Sequence, residues 1–447
     1  MVSAAEQLTG NFSLANFGKA EELKKRIWFT LAALVIYRLG TYIPLPGIDP
    51  AAFEASFLAK KQGVLELFNM FSGGAVQRMA IFALNIMPYI SASIIIQLVT
   101  PLFKQLETLK KEGDSGRKVL NQYTRYLTVI LAAGQAYGIA LGLSGSGSSG
   151  MVLNPGWFFN LTTVITLTGG TMFLMWLGEQ ITARGIGNGS SLIIFAGIVA
   201  AFPAAVVQVL ELVRTGGMNF GVMLAVVVMA IAVIAFIVFM ERAQRRLLIT
   251  YPKRQVGNRV FDGQTSFLPL KLNTAGVIPP IFASSLLLLP TTVANFAVTP
   301  GDTTSILGTI TAYLAHGRPL YMLLYVALIV FFAFYYTAQV FNPVETADNL
   351  KKHGGFMPGI RPGERTAQYI DAILTRITVL GAIYLAIICL LPEMLISYAA
   401  IPFYFGGTSL LIVVSVTMDT VAQIHGHLQA HQYEGLVKKA NKRGRKK

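Results

Sequence analysis

Histidines are the side chains of this sequence best suited to hold a metal ion, and three of them cluster near its end. These are His425, His427 and His431, of which the last two are spaced to share one face of a helix. Zinc sites usually add cysteine or carboxylate ligands to such histidines. The single cysteine, Cys389, lies elsewhere, and no carboxylate pair adjoins the cluster. We therefore favour a solvated helix over a metal site and expect no cofactor.

Motifs for nucleotide chemistry are absent from the sequence. No GxxxxGK[ST] run occurs, so a phosphate-binding P-loop is excluded and any energy for work must come from another protein. We therefore expect that the protein is not an enzyme.

Charged residues that could couple transport to ions avoid the centres of the apolar segments. They lie nearer the ends of these segments: Arg38, Glu179, Glu211, Glu393 and Asp419. A charge at the centre of a membrane helix costs roughly 2.5 to 3.5 kcal/mol, and such residues usually mark ion pathways. Their absence argues against an ion-coupled transporter.

Isoleucines stand where charge is missing. Five of them lie at comparable depth in the apolar segments: Ile86, Ile90, Ile194, Ile281 and Ile412. An apolar constriction can close a water-filled path by dewetting and remain indifferent to what passes through it. Isoleucine is also common in every membrane helix, and from the residues alone we favour ordinary packing or lipid contact.

Ten apolar segments must position these residues. With 54% hydrophobic and 13% charged residues among 447, a soluble fold could not bury the apolar side chains. Segments of spanning length fall at about 27–43, 79–99, 126–143, 157–177, 190–213, 220–240, 275–295, 320–341, 371–396 and 407–424. The sequence predicts an all-α polytopic membrane protein with ten transmembrane helices.

The second span is unusual. It runs from Arg78 to Thr100 as RMAIFALNIMPYISASIIIQLVT, and Pro88 removes a helix donor in its middle. We predict a spanning helix broken at this proline, with Ile86 and Ile90 one turn apart. The preceding stretch 64–77 is apolar but too short to cross, so it predicts an interfacial or re-entrant helix.

The basic residues orient the spans. All but six of the 36 lie before span one, in or next to the loops after spans two, four, six and eight, or in the tail. The positive-inside rule then places both termini in the cytoplasm. We divide the chain into an N-terminal segment 1–26, halves 27–213 and 214–424, and a basic tail 425–447. Five spans per half permit two pseudo-symmetric halves in an inverted repeat, although we see no residue-level similarity between them.

Two cytoplasmic loops carry further signals. The loop 241–271 alternates apolar and polar residues and predicts a projecting β-hairpin with Lys253, Arg254 and Arg259 at its tip. The loop 342–370 contains GIRPGE, whose prolines and glycines would hold Arg361 in a rigid exposed turn. From charge alone, we favour basic residues that serve only topology.

Five long stretches carry a family resemblance. They are MFSGGAVQRMAIFALNIMPYISASIIIQL (70–98), GEQITARGIGNGSSLIIFAGI (178–198), LPLKLNTAGVIPPIFASS (268–285), FNPVETADNLKKHGGFMPGIRPGERTAQYI (341–370) and PFYFGGTSLLIVVSVTMD (402–419). They resemble, in this order and over essentially the whole chain, the bacterial SecY family, the large subunits of the protein translocation channel.

The resemblance implies roles for particular residues. The five isoleucines match the family's pore ring, and 64–77 matches its plug, a short re-entrant helix that blocks the outer funnel at rest. The plug residues are Leu65, Leu67, Phe68, Met70, Phe71, Ser72, Gly73 and Gly74. Spans two, three, seven and eight resemble a lateral gate, with Gln97 facing Asn273 across it. An interfacial cap at the start of span seven is an equal alternative for Asn273.

The resemblance also implies partners and a location. Lys253, Arg254, Arg259 and Arg361 match the surface that docks the motor ATPase SecA and the ribosome, whose RNA phosphates attract basic side chains. SecE and SecG would be companion subunits, and signal sequences, nascent polypeptides and membrane lipid would also be partners. The expected location is the bacterial cytoplasmic (inner) membrane, with multiple passes.

Four residues depart from the family pattern: Ser190, Asn85, Ser415 and Thr417. They could loosen the ring or the gate, although each hydroxyl can bond the carbonyl one turn earlier in its own helix.

The expected function is a non-enzymatic channel that passes unfolded secretory polypeptides across the membrane and releases membrane segments sideways. One alternative is a small-molecule secondary transporter with an inverted repeat, which predicts an ionisable residue near the middle of a span. The other is a receptor or scaffold whose basic loops recruit a partner, which predicts no water path through the bundle.

Overall fold

The computed structural model describes residues 21–59, 69–145, 152–216, 219–252, 254–256, 259–261, 265–297, 318–399 and 407–444. Contacts between Cα atoms group the chain into two units, Met1–Pro203 with Val416–Lys447, and Ala204–Ser415. Each unit is described by itself below.

Helices make up most of the first unit. In chain order they are α1 (Glu21–Gly40), α2 (Pro50–Ala59), α3 (Met87–Val99), α4 (Lys104–Lys111), α5 (Asp114–Gly145), α6 (Trp157–Arg184) and α7 (Gly189–Arg214), whose last turns enter the second unit. Helices α5 and α6 pack along each other, and Arg125 of α5 forms a two-pronged ion pair with Glu179 of α6 at 2.9 and 2.6 Å. This pair fixes one end of the α5 and α6 contact.

The second unit combines helices with a long hairpin. Its elements are α8 (Phe220–Arg242), β1 (Gln244–Thr250), β2 (Arg254–Val256), β3 (Arg259–Phe261), β4 (Thr265–Lys271), α9 (Ile278–Ala297), α10 (Pro319–Val340), α11 (Pro343–Lys352), α12 (Glu364–Ala399) and α13 (Gly407–Gly444). Helix α13 begins in this unit and continues into the first.

A described helix coincides with each of the ten predicted spans. Seven described helices are long and apolar enough to cross a membrane, and α3 with α4 adds an eighth if that pair, bent by 101°, counts as one span. Helix α1 carries charges at its start, and the apolar described part of α9 is short. The protein is thus a predominantly helical membrane protein, while the inverted repeat of two halves stays a prediction.

The first half of span two is not helical, and here the prediction of a helix over 79–99 is wrong. Residues 81–86 form turns, and α3 begins only at Met87, with Pro88 in its first turn. Met79 and Asn85 have φ of +44° and +50°, a left-handed backbone that ends any right-handed helix. Pro88 therefore lies at the start of a helix and does not break one. Its missing N–H costs nothing there, because the first N–H groups of a helix have no partner within the helix.

The non-helical segment 79–86 replaces some of its missing helical bonds with partners from elsewhere. Leu45 N–H donates to the Met79 carbonyl at 2.9 Å, and Ile81 N–H donates to the Ile43 carbonyl at 3.0 Å. On its other side the segment lies against Gly170 of α6, where a Cβ would stand only 2.2 Å from the Ile81 carbonyl oxygen. Glycine at that position is what admits a non-helical chain beside a helix.

The predicted β-hairpin of the 241–271 loop is confirmed. Strands β1 and β4 pair antiparallel from Gln244 with Lys271 to Thr250 with Thr265, and β2 pairs with β3 beyond them. Thr250 also exchanges two backbone hydrogen bonds with Phe356, at 2.9 and 3.0 Å. A shared apolar core joins the hairpin to the 342–370 loop and α12: Leu247, Leu270, Met357, Ile370, Ile373 and Ile377. The two loops therefore fold as one module.

Candidate functional site

Three of the five ring isoleucines lie buried in the first unit. Ile86 is fully buried at the start of α3, and Ile90, one turn later, donates its N–H to the Ile86 carbonyl at 3.1 Å. The predicted one-turn spacing of this pair is therefore present. Ile194 of α7 is buried as well. Ile86 and Ile193 both reach Gly178 of α6, where an added Cβ would contact each side chain at 3.5 Å.

The other two ring isoleucines lie in the second unit. Ile281 follows Pro279 and Pro280 in the first turn of α9 and is partly buried. Ile412 of α13 is almost fully buried. A ring formed by all five residues stays a prediction.

The described part of the plug is mostly turn, which corrects the prediction of a helix over 64–77. Residues 69–71 are helical and 72–79 form successive turns, with Gly73 and Gly74 at positive φ of +65° and +85°. Leu65, Leu67 and Phe68 lie outside the described residues. Phe71 and Ser72 are buried, and Met70 is partly buried. Glycines supply the left-handed conformations that this tight path requires.

Side chains from outside the plug hold its backbone. The carbonyls of Phe71, Ser72 and Gly73 accept side-chain hydrogen bonds from Asn85 Nδ2 at 2.6 Å, Tyr37 Oη at 3.3 Å and Arg38 Nη1 at 2.6 Å respectively. Three consecutive carbonyls of one irregular segment are thus satisfied by three different side chains.

A second arginine joins this contact. The guanidinium carbon of Arg78 lies 3.9 Å from the ring centroid of Tyr42, and that of Arg38 lies 5.0 Å from the same centroid. Arg78 Nη2 is also 3.4 Å from the Gly73 carbonyl oxygen. Arg38 and Arg78 therefore both approach the Gly73 carbonyl and the Tyr42 ring. The face of an aromatic ring attracts positive charge.

The predicted gate residues have partners within their own units. Gln97 of α3 is exposed and donates to Ser93 Oγ at 3.2 Å. Asn273 is buried just before α9, and its amide donates to Glu241 Oε1 at 2.7 Å and to the Gly276 carbonyl at 3.1 Å. These bonds tie the end of α8 to the entry of α9. The Asn273 amide donates both of them, whereas a helix cap accepts from backbone N–H groups, so the cap alternative also stays a prediction. The contact of Asn273 with Gln97 stays a prediction.

The described docking residues belong to the module that the 241–271 hairpin forms with the 342–370 loop, called the cytoplasmic module after its predicted side of the membrane. Arg361 is exposed in an irregular turn between Gly359 and Gly363, both at positive φ, and its carbonyl accepts from Thr366 Oγ1 at 2.9 Å. The exposed turn is therefore present, and its rigidity stays a prediction. Arg254 and Arg259 open β2 and β3, opposite Phe261 and Val256, and their side chains lie outside the description. Lys253 lies outside the described residues.

One basic residue elsewhere on the predicted cytoplasmic face is paired within its own helix. On α4, Lys111 Nζ lies 2.6 Å from Glu107 Oε1, and this hydrogen bond lowers the pKa of the exposed Glu107 carboxyl. Within the described part of the chain, no three His, Cys, Asp or Glu side chains are grouped as a metal site would need. The side chain of His431 lies outside the description.

The departures from the family pattern behave differently from expectation. Ser190 Oγ bonds Asn188 Oδ1 at 2.7 Å, and not a carbonyl one turn earlier. Ser415 Oγ is buried and has no hydrogen-bond partner among the described residues, so the expected helix bond is absent there too. Asn85 donates its amide N–H to the Phe71 carbonyl, while its amide oxygen is buried with no hydrogen-bond partner among the described residues; whether this departure loosens the packing stays a prediction.

Sequence reasoning missed the residues that hold the plug. Tyr37 and Arg38 read as ordinary residues of span one, and Asn85 read only as a disturbance beside the ring. One signal was available: asparagine tolerates the left-handed conformation better than other side chains, so Asn85 before Met87 and Pro88 marks a turn.

Comparison with known proteins agrees with the family resemblance. A family model described as SecY matches residues 80–421. The chain is 56% identical over 429 residues to the protein translocase subunit SecY of Escherichia coli (strain K12), covering 96% of both proteins. It is 54% identical over 428 residues to the subunit of the same name from Rickettsia conorii, covering 95% of this chain and 98% of the relative.

Solved structures agree on the fold. A structure described as a protein conducting channel matches with a TM-score of 0.67 at 19% identity, covering 91% of this chain and 92% of that one. The Sec61 chain in a canine ribosome-channel complex from the endoplasmic reticulum matches with a TM-score of 0.63 at 18% identity, with coverage of 91% and 92%. The helices, the order of the motifs and the identity over nearly the whole length lead to one conclusion: this chain belongs to the SecY family.

Proposed function

We propose that this protein is the channel subunit through which unfolded secretory polypeptides cross the cytoplasmic membrane, and from which membrane segments leave sideways into lipid. The observation that carries the proposal is the 56% identity to a protein translocase subunit over 96% of both chains. A small-molecule transporter is not supported, because the relatives that this chain matches from end to end are translocase subunits.

The residues of the first unit fit a neutral constriction. Ile86, Ile90 and Ile194 are buried and apolar, and the plug segment is fastened beside the start of α3. An apolar constriction closes to ions by dewetting and makes no charge-specific contact with a passing chain. Such a site suits a substrate whose sequence varies at every step.

Energy and partners are proposed to come from outside the chain. The cytoplasmic module presents the exposed Arg361 and the strands that carry Arg254 and Arg259. We assign this surface to docking of the ATPase SecA and of the ribosome, with SecE and SecG as companion subunits. The subunit itself would then be non-enzymatic, since SecA hydrolysis or chain elongation supplies the work.

The proposed location is the bacterial cytoplasmic membrane, with ten passes and both termini in the cytoplasm. The proposed division of the chain is the N-terminal segment 1–26, the halves 27–213 and 214–424, and the tail 425–447. The distribution of lysine and arginine supports this orientation.

Crosslinking tests the polypeptide path. After Cys389→Ser, an Ile90→Cys variant is challenged with a stalled secretory precursor that carries one cysteine in its mature region. We expect a disulfide at this site that requires the stalled precursor, because Ile90 would line the constriction. Ile231→Cys is the matched control, since Ile231 lies midway along α8 with 62% of its surface exposed.

The two sites separate the alternatives. A disulfide at Ile90→Cys but not at Ile231→Cys supports the channel. Equal crosslinking at both sites, or crosslinking at Ile231→Cys alone, would place the polypeptide elsewhere and refute the assignment of Ile90.

A further inference from the structure

We propose that Tyr37, Arg38 and Asn85 are positioning residues that hold the plug closed by its main chain. This set is called the carbonyl clasp below. The inference rests on the proposed function, because it assigns a mechanism of closure to the segment proposed as the plug.

The geometry of the clasp is a row of three acceptors matched by three donors. The Phe71, Ser72 and Gly73 carbonyls point to Asn85, Tyr37 and Arg38, at 2.6, 3.3 and 2.6 Å. The carbonyl of Phe71 can only accept, so the 2.6 Å contact fixes the amide nitrogen of Asn85, and not its oxygen, towards the plug. The clasp therefore recognises backbone in one conformation and no particular side chain.

Burial makes these hydrogen bonds difficult to replace by water. Tyr37 and Ser72 are fully buried, Asn85 is 1% exposed and Phe71 is 4% exposed. A buried donor or acceptor that loses its partner keeps its desolvation penalty, so opening must break the bonds and hydrate the groups together. The bonds can hold the plug closed until an incoming polypeptide and water replace them.

The contact at Gly73 differs because it is charge-assisted and more open. Arg38 is the close donor at 2.6 Å, Arg78 approaches the same oxygen at 3.4 Å, and both stack on the exposed ring of Tyr42. Charged donors form stronger hydrogen bonds than neutral ones. Gly73 is therefore the firm end of the clasp, and Asn85 is its buried end.

The plug backbone at Phe71 packs closely against α7. Gly197 of α7 lies so near that a Cβ there would stand 2.4 Å from the Phe71 carbonyl oxygen and 3.1 Å from Tyr37 Oη. A glycine at this position lets the plug lie flat against the helix, within reach of its donors. The packing against α7 and the three donors therefore define one closed position of the plug.

Asn85 connects the clasp to the ring. It directly precedes Ile86, and its φ of +50° is one that asparagine and glycine tolerate best. Release of the Phe71 carbonyl would leave the Asn85 amide free to turn, one residue from the first ring isoleucine. Plug release and ring relaxation are thus linked through a single residue.

The test is the ion conductance of the full chain, reconstituted in planar bilayers with no precursor present. Asn85→Gly keeps the left-handed backbone and removes the amide, and Tyr37→Phe keeps the ring that stacks on Phe82 at 6.3 Å and removes the hydroxyl. We expect several-fold more leak for Asn85→Gly, a smaller rise for Tyr37→Phe and the largest rise for the double variant. Export of a precursor with a weakened signal sequence should rise in the same order.

A matched control loses a comparable bond in the second unit, outside the clasp and the plug. Thr378→Val removes a buried hydroxyl that donates to the Leu374 carbonyl at 2.8 Å within α12, and it should leave conductance unchanged. Leak in this control equal to that of Asn85→Gly would overturn the clasp, because general loosening of the bundle would then explain both.

Deletion of residues 65–70 distinguishes the clasp from the plug assignment. If the deletion raises leak while Asn85→Gly and the double variant match the wild type, the clasp is wrong and the proposed function stands. If the deletion leaves leak at the wild-type level, the plug assignment fails and the clasp fails with it. Leak above the wild-type level in the deletion and in the clasp variants supports both the plug assignment and the clasp.

Discussion

At the scale of single residues, the proposed constriction is made of neutral side chains. Ile86, Ile90 and Ile194 are buried, and the Asn85 amide beside Ile86 donates to a backbone carbonyl. Neutral apolar groups discriminate little among passing side chains, which is the property that a heterogeneous substrate requires.

A charge placed in the constriction should therefore damage its seal. In Ile90→Asp, the carboxylate keeps water in the path, so we expect a several-fold rise in resting ion leak and slower passage of acidic precursors than of neutral ones. Conductance and export of matched precursors measure the two effects. Ile90→Val, which keeps an apolar β-branched side chain, is the control; equal transport of both precursors by Ile90→Asp would refute the neutral constriction.

Arg361 should act as a docking anchor. Truncation of an interface arginine at a hot spot costs about 2 kcal/mol or more, or roughly thirtyfold in affinity. We expect Arg361→Ala to weaken binding of SecA to the reconstituted channel by that order, measured by fluorescence titration. Arg365→Ala removes the same charge from an exposed site at the second residue of α12 and should change affinity far less. An equal loss in both variants would indicate that only net charge matters.

At the scale of elements, the sequence predicts the existence of each helix better than its course. Every predicted span meets a helix, because long apolar runs need a helix to satisfy their backbone in lipid. Hydropathy reflects the length and composition of an apolar run but not its backbone conformation, so it does not reveal the non-helical turns over 79–86. For the same reason it does not reveal the turns of the plug. The hairpin of 241–271 was predictable because its alternation and its pairing are local.

Gly170 should be essential for the packing of the non-helical segment 79–86 against α6. A methyl group there would meet the Ile81 carbonyl at 2.2 Å, and such overpacking costs about 1 to 3 kcal/mol. We expect Gly170→Ala to lower the thermal unfolding temperature of the purified protein in detergent. The neighbouring Gly169→Ala is an ideal comparison, because a Cβ at Gly169 meets nothing within 4 Å and alanine favours helix. Equal melting of the two variants would contradict the proposed packing.

At the scale of the whole molecule, contacts that are distant in sequence could not be inferred from one chain. Arg38 contacts Gly73, 35 residues later in the sequence, and Thr250 pairs with Phe356 although two predicted spans separate them in the sequence. Neither contact leaves a periodic signal in the sequence. The family resemblance implies the roles of ring and plug, and the structure shows which side chains donate hydrogen bonds to the carbonyls of residues 71–73.

The orientation of the whole chain follows from its basic loops. A green fluorescent protein fused after Lys447 should fluoresce, since it folds in the cytoplasm but not after export through this route. Alkaline phosphatase inserted within 144–150, a predicted outside loop, should be active. Activity of the phosphatase when it is fused after Lys447 would reverse the proposed topology.

The grip on main-chain carbonyls has an evolutionary consequence. Because the carbonyl clasp contacts only the plug backbone, it imposes little selection on the plug side chains, and their sequence can diverge among descendants. The tyrosine, arginine and asparagine of the clasp remain under constraint. Plugs from distant lineages should then be interchangeable as cassettes, provided that the paired glycines keep their turn.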